Sequence, residues 1–316
     1  GPTAYRTAKD GNTYVSVIGS FSPTDVPLGA IWQFTPNGKA RAIIKHLRRP
    51  TDIAHADFDG DGQEELVIPE FGKLLGRLAV WQRKGTEWFA QVLDPQPGAT
   101  RVITTDWNED GHTDILALMA QGDERIVVYL NDGNGQFQGK TLLRFPPSYG
   151  SVYLDTLDYN DDGKMDLLYA NGDNADYKPI LKPYHGVRVY VQSDEGDLQE
   201  ELFLPLPGAY AAVPADFDLD GDLDIAAISF FPDFTRKPEL SFVLFTQNDK
   251  GDFTLHPMPA TESGRWLRLA TADYDNDGDQ DLLTTSLAFE TVPDGGEVAE
   301  WVKNGLPFVF WENTNR

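Results

Sequence analysis

One nine-residue pattern, Asp-x-Asp/Asn-x-Asp-Gly-x-x-Asp/Glu, occurs five times and limits what this chain can fold into more than any other feature. The first copy is Asp57-Phe58-Asp59-Gly60-Asp61-Gly62-Gln63-Glu64-Glu65. The others occupy residues 106–114, 158–166, 216–224 and 273–281, so successive starts are 49, 52, 58 and 57 residues apart. A period near fifty residues marks a repeat architecture, in which each unit buries its apolar face against the next. The second position is always aromatic: Phe58, Trp107, Tyr159, Phe217 and Tyr274. Each copy then runs into a short apolar stretch such as Leu66-Val67-Ile68 or Ile115-Leu116-Ala117-Leu118, which reads as a buried strand. Seven Trp, twelve Tyr and eighteen Phe against three Met point the same way.

Carboxylates at alternate positions of a tight loop converge on one point. A glycine at the sixth position permits the sharp turn, a backbone carbonyl serves at the seventh, and an acid at the ninth closes the cage. Oxygen donors in this number suit a hard cation, calcium before magnesium. The expected ligands are Asp57, Asp59, Asp61, Gln63 and Glu65 in the first loop, and Asp106, Asn108, Asp110, His112 and Asp114 in the second. The third loop offers Asp158, Asn160, Asp162, Lys164 and Asp166. The fourth offers Asp216, Asp218, Asp220, Asp222 and Asp224, and the fifth Asp273, Asp275, Asp277, Asp279 and Asp281. At Gln63, His112, Lys164, Asp222 and Asp279 the donor is the main-chain carbonyl. About five calcium ions with a structural role are expected. An EF-hand loop begins alike but needs an acid at the twelfth position and a helix after it. Here the twelfth residues are Ile68, Ala117, Tyr169, Ala227 and Thr284, and strand-like sequence follows.

The formal charge of −24 excludes a nucleic-acid partner, because a polyanion is repelled. It also strains a compact chain; five divalent cations would bring −24 to −14. The absence of cysteine removes disulfides and thiol chemistry. No apolar run is long enough to span a bilayer. The opening Gly1-Pro2 looks like a protease-cleavage scar, which leaves open that a targeting segment or further module was removed.

With these loops the chain resembles the FG-GAP/VCBS repeat proteins, whose propellers are similar to the head of the integrin α-subunit. The likeness covers roughly residues 50–316 and lies closer to the VCBS side, since the FG-GAP signature itself is poorly kept. The resemblance implies calcium in each loop, between the first and second strands of a blade. It implies no single activity, because such propellers serve adhesion, glycan recognition and, in some lyases, catalysis.

The expected fold is an all-β propeller of four-stranded antiparallel blades, six by count and seven if blades are missing at an end. Residues 1–48 form a blade whose Lys9-Asp10-Gly11-Asn12 is only a remnant of the loop; the others fall near residues 49–98, 99–148, 149–207, 208–264 and 265–316. For the second copy of the pattern the strands read as residues 101–105, 115–119, 125–130 and 138–144. Short polar turns at residues 131–135, 193–196 and 248–251 are hairpin signals between third and fourth strands. The last blade is one strand short, and an N-terminal strand near residues 4–8 is expected to complete it.

In such a meander the metal loops and the polar hairpins share one face. The longer, irregular connections share the other: residues 20–29, 70–76, 120–124, 170–186, 230–239 and 287–306 between second and third strands, with residues 144–150, 205–210 and 257–266 between blades. Long loops on a rigid scaffold are where function usually sits. A ligand site is expected over two of them, at Asn171, Asp173, Asn174, Asp176, Tyr184 and His185 on one and Phe231, Asp233, Phe234 and Arg236 on the other. Flat apolar surface beside directed polar groups suits a glycan or a protein. The leading expectation is a secreted or periplasmic recognition propeller, alone or as one module of a larger protein. The alternatives are a polysaccharide lyase, with His185, Tyr184 or Lys182 as base and Arg236 or Arg265 on a uronate, and a docking domain for a redox partner.

Overall fold

A computed structural model describes residues 2–175, 180–234, 236–259, 263–288 and 297–314. The fold is all-β, with six antiparallel sheets following one another along the chain as propeller blades. They are divided between two compact units: residues 1–148 with 194–198, and residues 149–193 with 199–316. In the first unit β1 (Pro2–Thr7), β2 (Thr13–Val17), β3 (Gly29–Phe34) and β4 (Ala40–Leu47) make one blade. The next is β5 (Ala54–Ala56), β6 (Glu65–Glu70), β7 (Arg77–Lys84) and β8 (Glu87–Asp94), and the third β9 (Ala99–Thr105), β10 (Asp114–Met119), β11 (Arg125–Asn131) and β12 (Phe137–Arg144).

The second unit begins with β13 (Ser151–Leu157), β14 (Asp166–Asn171), β15 (Gly186–Gln192) and β16 (Leu198–Pro205). Then come β17 (Ala209–Ala215), β18 (Asp224–Ser229), β19 (Phe242–Gln247) and β20 (Phe253–Pro257). The last sheet is β21 (Trp266–Ala272), β22 (Asp281–Ser286) and β23 (Phe308–Trp311), with the helix α1 (Glu297–Asn304) between the last two. It has three strands among the described residues. The N-terminal strand does not complete it: β1 pairs with β2, Tyr5 opposite Val15 and Thr7 opposite Thr13. The first blade needs that strand, since β2 would otherwise be an open edge with unpaired backbone groups.

Second strands lie inside the sheets. Every residue of β6, β10, β14 and β18 is buried, which accounts for their nearly unbroken apolar sequence. Fourth strands such as β12 are largely exposed and polar. One register position repeats throughout. Trp32, Trp81, Tyr129, Tyr190, Phe245 and Trp311 on the third strands stand opposite Val15, Leu66, Ile115, Leu167, Ile225 and Leu282 on the second. In the second unit Trp311 meets Phe242 and the fully buried Trp266 edge-on, with ring centroids 4.8 and 6.0 Å away.

A second repeated contact fixes the irregular end of each blade. The carbonyls of Gly98, Gly150 and Gly208 accept the N–H of the residue just past a second strand: Ala120, Gly172 and Phe230, at 2.8, 2.9 and 3.0 Å. These glycines have φ of 101°, 73° and 71°. A Cβ on Gly98 would lie 2.5 Å from the Gln121 Cβ, and one on Gly208 2.2 Å from the Phe231 carbonyl oxygen. Only glycine therefore fits. Arg49 and Arg265 accept the matching bonds from Phe71 and Leu287, at 3.1 and 2.8 Å.

Candidate functional site

All five Asp-rich loops join the first and second strands of a blade, and they share one backbone trace. The fourth position is left-handed in each: Gly60, Glu109, Asp161, Leu219 and Asn276 have φ between 56° and 73°. The sixth is a left-handed glycine, from Gly62 at 84° to Gly278 at 102°. Four non-glycine residues held at positive φ were not legible in the sequence, where only the sixth position carries a glycine throughout. The first Asp fastens the turn. Asp57 accepts the N–H of Gly60 and Gly62 at 2.8 and 3.0 Å, and Asp106 that of Asp110 and Gly111 at 3.1 and 2.8 Å. Asp158, Asp216 and Asp273 repeat the second pattern.

The ninth residue does more than close a cage. One oxygen of Glu65, Asp114, Asp166, Asp224 and Asp281 accepts the N–H of the aromatic second residue, at 2.9–3.1 Å in every copy. In four copies the other oxygen takes an N–H at the end of the third strand: Asn131, Gln192, Gln247 or Asn313, at 2.8–2.9 Å. This buried carboxylate therefore ties the loop to its own blade. Two of those residues extend the tie to the preceding blade. The Asn131 side-chain amide donates to the Phe58 carbonyl at 2.9 Å, and that of Asn313 to the Phe217 carbonyl at 2.7 Å.

Carboxylates converge in three of the loops. Donor atoms of Asp57, Asp59 and Asp61, of Asp216, Asp218 and Asp224, and of Asp273, Asp275 and Asp277 each lie within 4.8 Å of one another. Asp249, on the hairpin after β19, forms a further group with Asp220 and Asp222 that the nine-residue pattern does not contain. Burial pushes Glu65 up to about 7, with Asp59, Asp61 and Asp57 adding to the rise against the Phe58 N–H. Asp114, Asp166 and Asp224 are raised by burial, partly offset by their backbone donors. Asp218 and Asp275 rise through desolvation and then neighbouring carboxylates.

The loops with Asn at the third position behave differently. Asn108 and Asn160 turn their amides toward Asp110 and Asp162, which are held below the usual carboxylate range, chiefly by the N–H groups of His112 and Lys164. Asp279 offers a further test of fit to a cation. It is 2% exposed, and both side-chain oxygens are buried without a hydrogen-bond partner. A carboxylate in that state is costly unless something positive meets it. Oxygen-only donor sets and an orphaned buried acid fit a hard divalent cation.

The irregular loops of the second unit divide into buried and presented residues. Asn171 is fully buried, donating to the Tyr149 and Tyr184 carbonyls at 3.0 and 3.1 Å and accepting from Arg188. Asn174 is buried and donates to the Ile180 carbonyl at 2.7 Å. His185 and Phe231 are also buried. These four belong to the scaffold rather than to a ligand surface. Asp173 and Arg236 are exposed, and Tyr184, Asp233 and Phe234 half-buried. Asp176 lies outside the described residues. Tyr184 stacks flat on Tyr149, centroids 5.1 Å apart and 6° from parallel, while Phe234 leans on Trp301 of α1 at 5.9 Å.

The two loops approach one another through the 205–210 connection. A Cβ on Gly172 would touch Ala209 at 2.1 Å, and Gly208 abuts Phe231. Beneath them lies Arg265, 1% exposed, its Nε donating to the Phe230 carbonyl at 2.8 Å. Its guanidinium sits 3.7 Å from the Phe230 ring centre and 4.8 Å from that of Phe231, and burial pushes its pKa down to about 10.

Residues 106–169, which hold the second and third Asp-rich loops, match the model of the FG-GAP-like repeat. Among solved structures the chain is similar to a rhamnogalacturonan lyase, YesW, with a TM-score of 0.51 and 13% identity over 90% of the chain. The chain spans 55% of that lyase's length, and at this identity the likeness is one of fold. No curated protein matches it. Fold and loops together define a β-propeller that carries an FG-GAP-like repeat. No helix among the described residues is long and apolar enough to cross a membrane.

Proposed function

We propose that this propeller is a calcium-stabilised recognition module that works outside the cytosol and binds a glycan or protein on the irregular loops of its second unit. The Asp-rich loops would hold calcium for the fold's sake. Their carboxylates accept main-chain N–H groups within the loops and at strand ends, so whatever they bind is coupled to the fold. Extracellular and periplasmic calcium of roughly 10⁻⁴–10⁻³ M suits weak sites of this kind.

The binding reading rests on one arrangement: the half-exposed faces of Tyr184 and Phe234, each backed by a second ring, with Asp173, Asp233 and Arg236 on the same loops. Rigid aromatic faces beside charged groups suit stacking and directed hydrogen bonds. Of the residues a lyase would use, His185 and Arg265 are enclosed while Lys182, Tyr184 and Arg236 reach the surface, so catalysis is the second reading to test. The test is a glycan array carrying neutral and uronic-acid polymers, with product release followed alongside binding. Binding without product is expected. The paired substitution Tyr184→Ala and Phe234→Ala should abolish it while calcium content stays unchanged; undiminished binding by that variant would move the site elsewhere.

A further inference from the structure

The first unit carries a surface that the recognition reading above does not use. Residues 1–49 contain seven Lys and Arg against two Asp, in a chain whose formal charge is −24. Beside this basic stretch, loop 20–29 meets loop 72–76. Phe21, Val26, Leu28, Leu74 and Leu75 there are each between 54% and 73% exposed. Five large apolar side chains so exposed at one place exceed the scattered surface hydrophobics of an ordinary monomer.

The backbone beneath them is pinned. One oxygen of Asp25 accepts the N–H groups of Lys73, Leu74 and Leu75, each at 2.9 Å. Arg49 bridges the same loops, donating to the Gly72 carbonyl at 2.8 Å and to the Phe21 carbonyl at 3.3 Å. The Gln121 amide closes the third side on the Lys73 carbonyl at 2.7 Å. Gly72 is required for the turn, since a Cβ would lie 2.0 Å from the Leu75 carbonyl oxygen. This framework holds apolar side chains outward in a fixed arrangement, so little ordering entropy remains to be lost when something covers them.

Cations outnumber anions around the patch, with Arg48, Arg49 and Lys73 against Asp25. Asp25 is already engaged by its three N–H donors, which hold it below the usual carboxylate range. Arg48 and Arg49 take part in no salt bridge among the described residues and their Nε atoms are buried without a hydrogen-bond partner, while Lys73 helps to hold Asp25 low. A net positive margin beside exposed aliphatic side chains calls for a ligand that is apolar and anionic together.

We propose that loops 20–29 and 72–76 form a docking surface for an acidic protein segment bearing large apolar side chains. A protein fits better than a glycan, because sugars stack on flat aromatic faces and this patch is aliphatic apart from Phe21. Its apolar centre and charged margin follow the anatomy of a protein interface. Charge complementarity picks an acidic partner and would speed its approach at low salt.

The probe is a displayed library of random twelve-residue peptides, selected on the intact chain in millimolar calcium. Enriched peptides should combine Asp or Glu with Leu, Phe or Trp. Leu74→Asp should weaken the best of them roughly tenfold or more, and Lys73→Glu should weaken it and flatten its salt dependence. Both positions are exposed, and unchanged melting curves will confirm that both variants fold. Tyr184→Ala should leave peptide binding intact, which separates this surface from the one proposed above. Three results would overturn the inference: no enriched sequence, enriched peptides indifferent to Leu74→Asp, or self-association of the wild-type chain in sedimentation that Leu74→Asp abolishes. Polygalacturonate binding lost in Leu74→Asp would equally replace the protein partner with a glycan.

Discussion

Withdrawing calcium should lower the melting temperature by an amount that counts the ions. A ligand bound only by the folded state adds about 1.4 kcal/mol per site for each tenfold rise in its free concentration above Kd. Five loops of common geometry would together add about 7 kcal/mol per decade. Unfolding entropy near 2 cal/mol/K per residue gives about 0.7 kcal/mol/K for a chain of 316 residues, so five sites should raise Tm by about 10 °C per decade and a single site by about 2 °C. Tryptophan fluorescence or calorimetry in calcium–chelator buffers, from micromolar to ten millimolar free ion, measures this slope directly. Magnesium at the same concentrations should do much less, because it keeps its waters. A slope near zero, or equal slopes for the two ions, would refute the reading of these loops as calcium sites.

Two smaller predictions follow from the wiring of the loops. In chelator, Glu65 has a folded-state pKa of about 7 against an ordinary 4.5, so its ionisation opposes folding above that value. The metal-free protein should therefore gain stability as pH falls from about 7 toward 5, by at most about 3 kcal/mol from this group, and calcium should suppress the gain; urea midpoints at pH 5.5 and 7.5 with and without calcium test both signs. Asn131→Ala removes donors to Phe58 and Thr113 and the acceptor for Gly133 and Gly135, and should cost about 2–4 kcal/mol. A loss below 1 kcal/mol in urea unfolding would mean that the tie between neighbouring blades carries no weight.

The blades were legible because the repeat fixes them twice. The Asp-Gly turn marks where a second strand begins, and the apolar run after it shows that both faces are covered, so residues 115–119 announce β10 almost to the residue. The N-terminal strand pairs otherwise than its sequence suggests, for a physical reason. Tyr5 and its neighbours alternate as any edge strand does, and nothing local distinguishes pairing with β2 from pairing with β23. The distinction depends on long-range pairing, which periodicity does not encode.

The candidate ligand face was only half legible, and Arg265 shows why. An arginine beside Trp266 in a polar loop reads as a group for an anionic substrate, yet the fold encloses it against Phe230 and Phe231. Composition identifies which side chains are capable of stacking or charge contact; burial decides which of them are spent on the scaffold. Asn171 makes the same point. Its position just before Gly172 suggested a loop residue facing a ligand, but its amide holds the carbonyls of Tyr149 and Tyr184 in place. It acts by setting the pose of the Tyr184–Tyr149 stack. Loss of Asn171 would therefore disorder the stacking face without removing a contact to anything bound there.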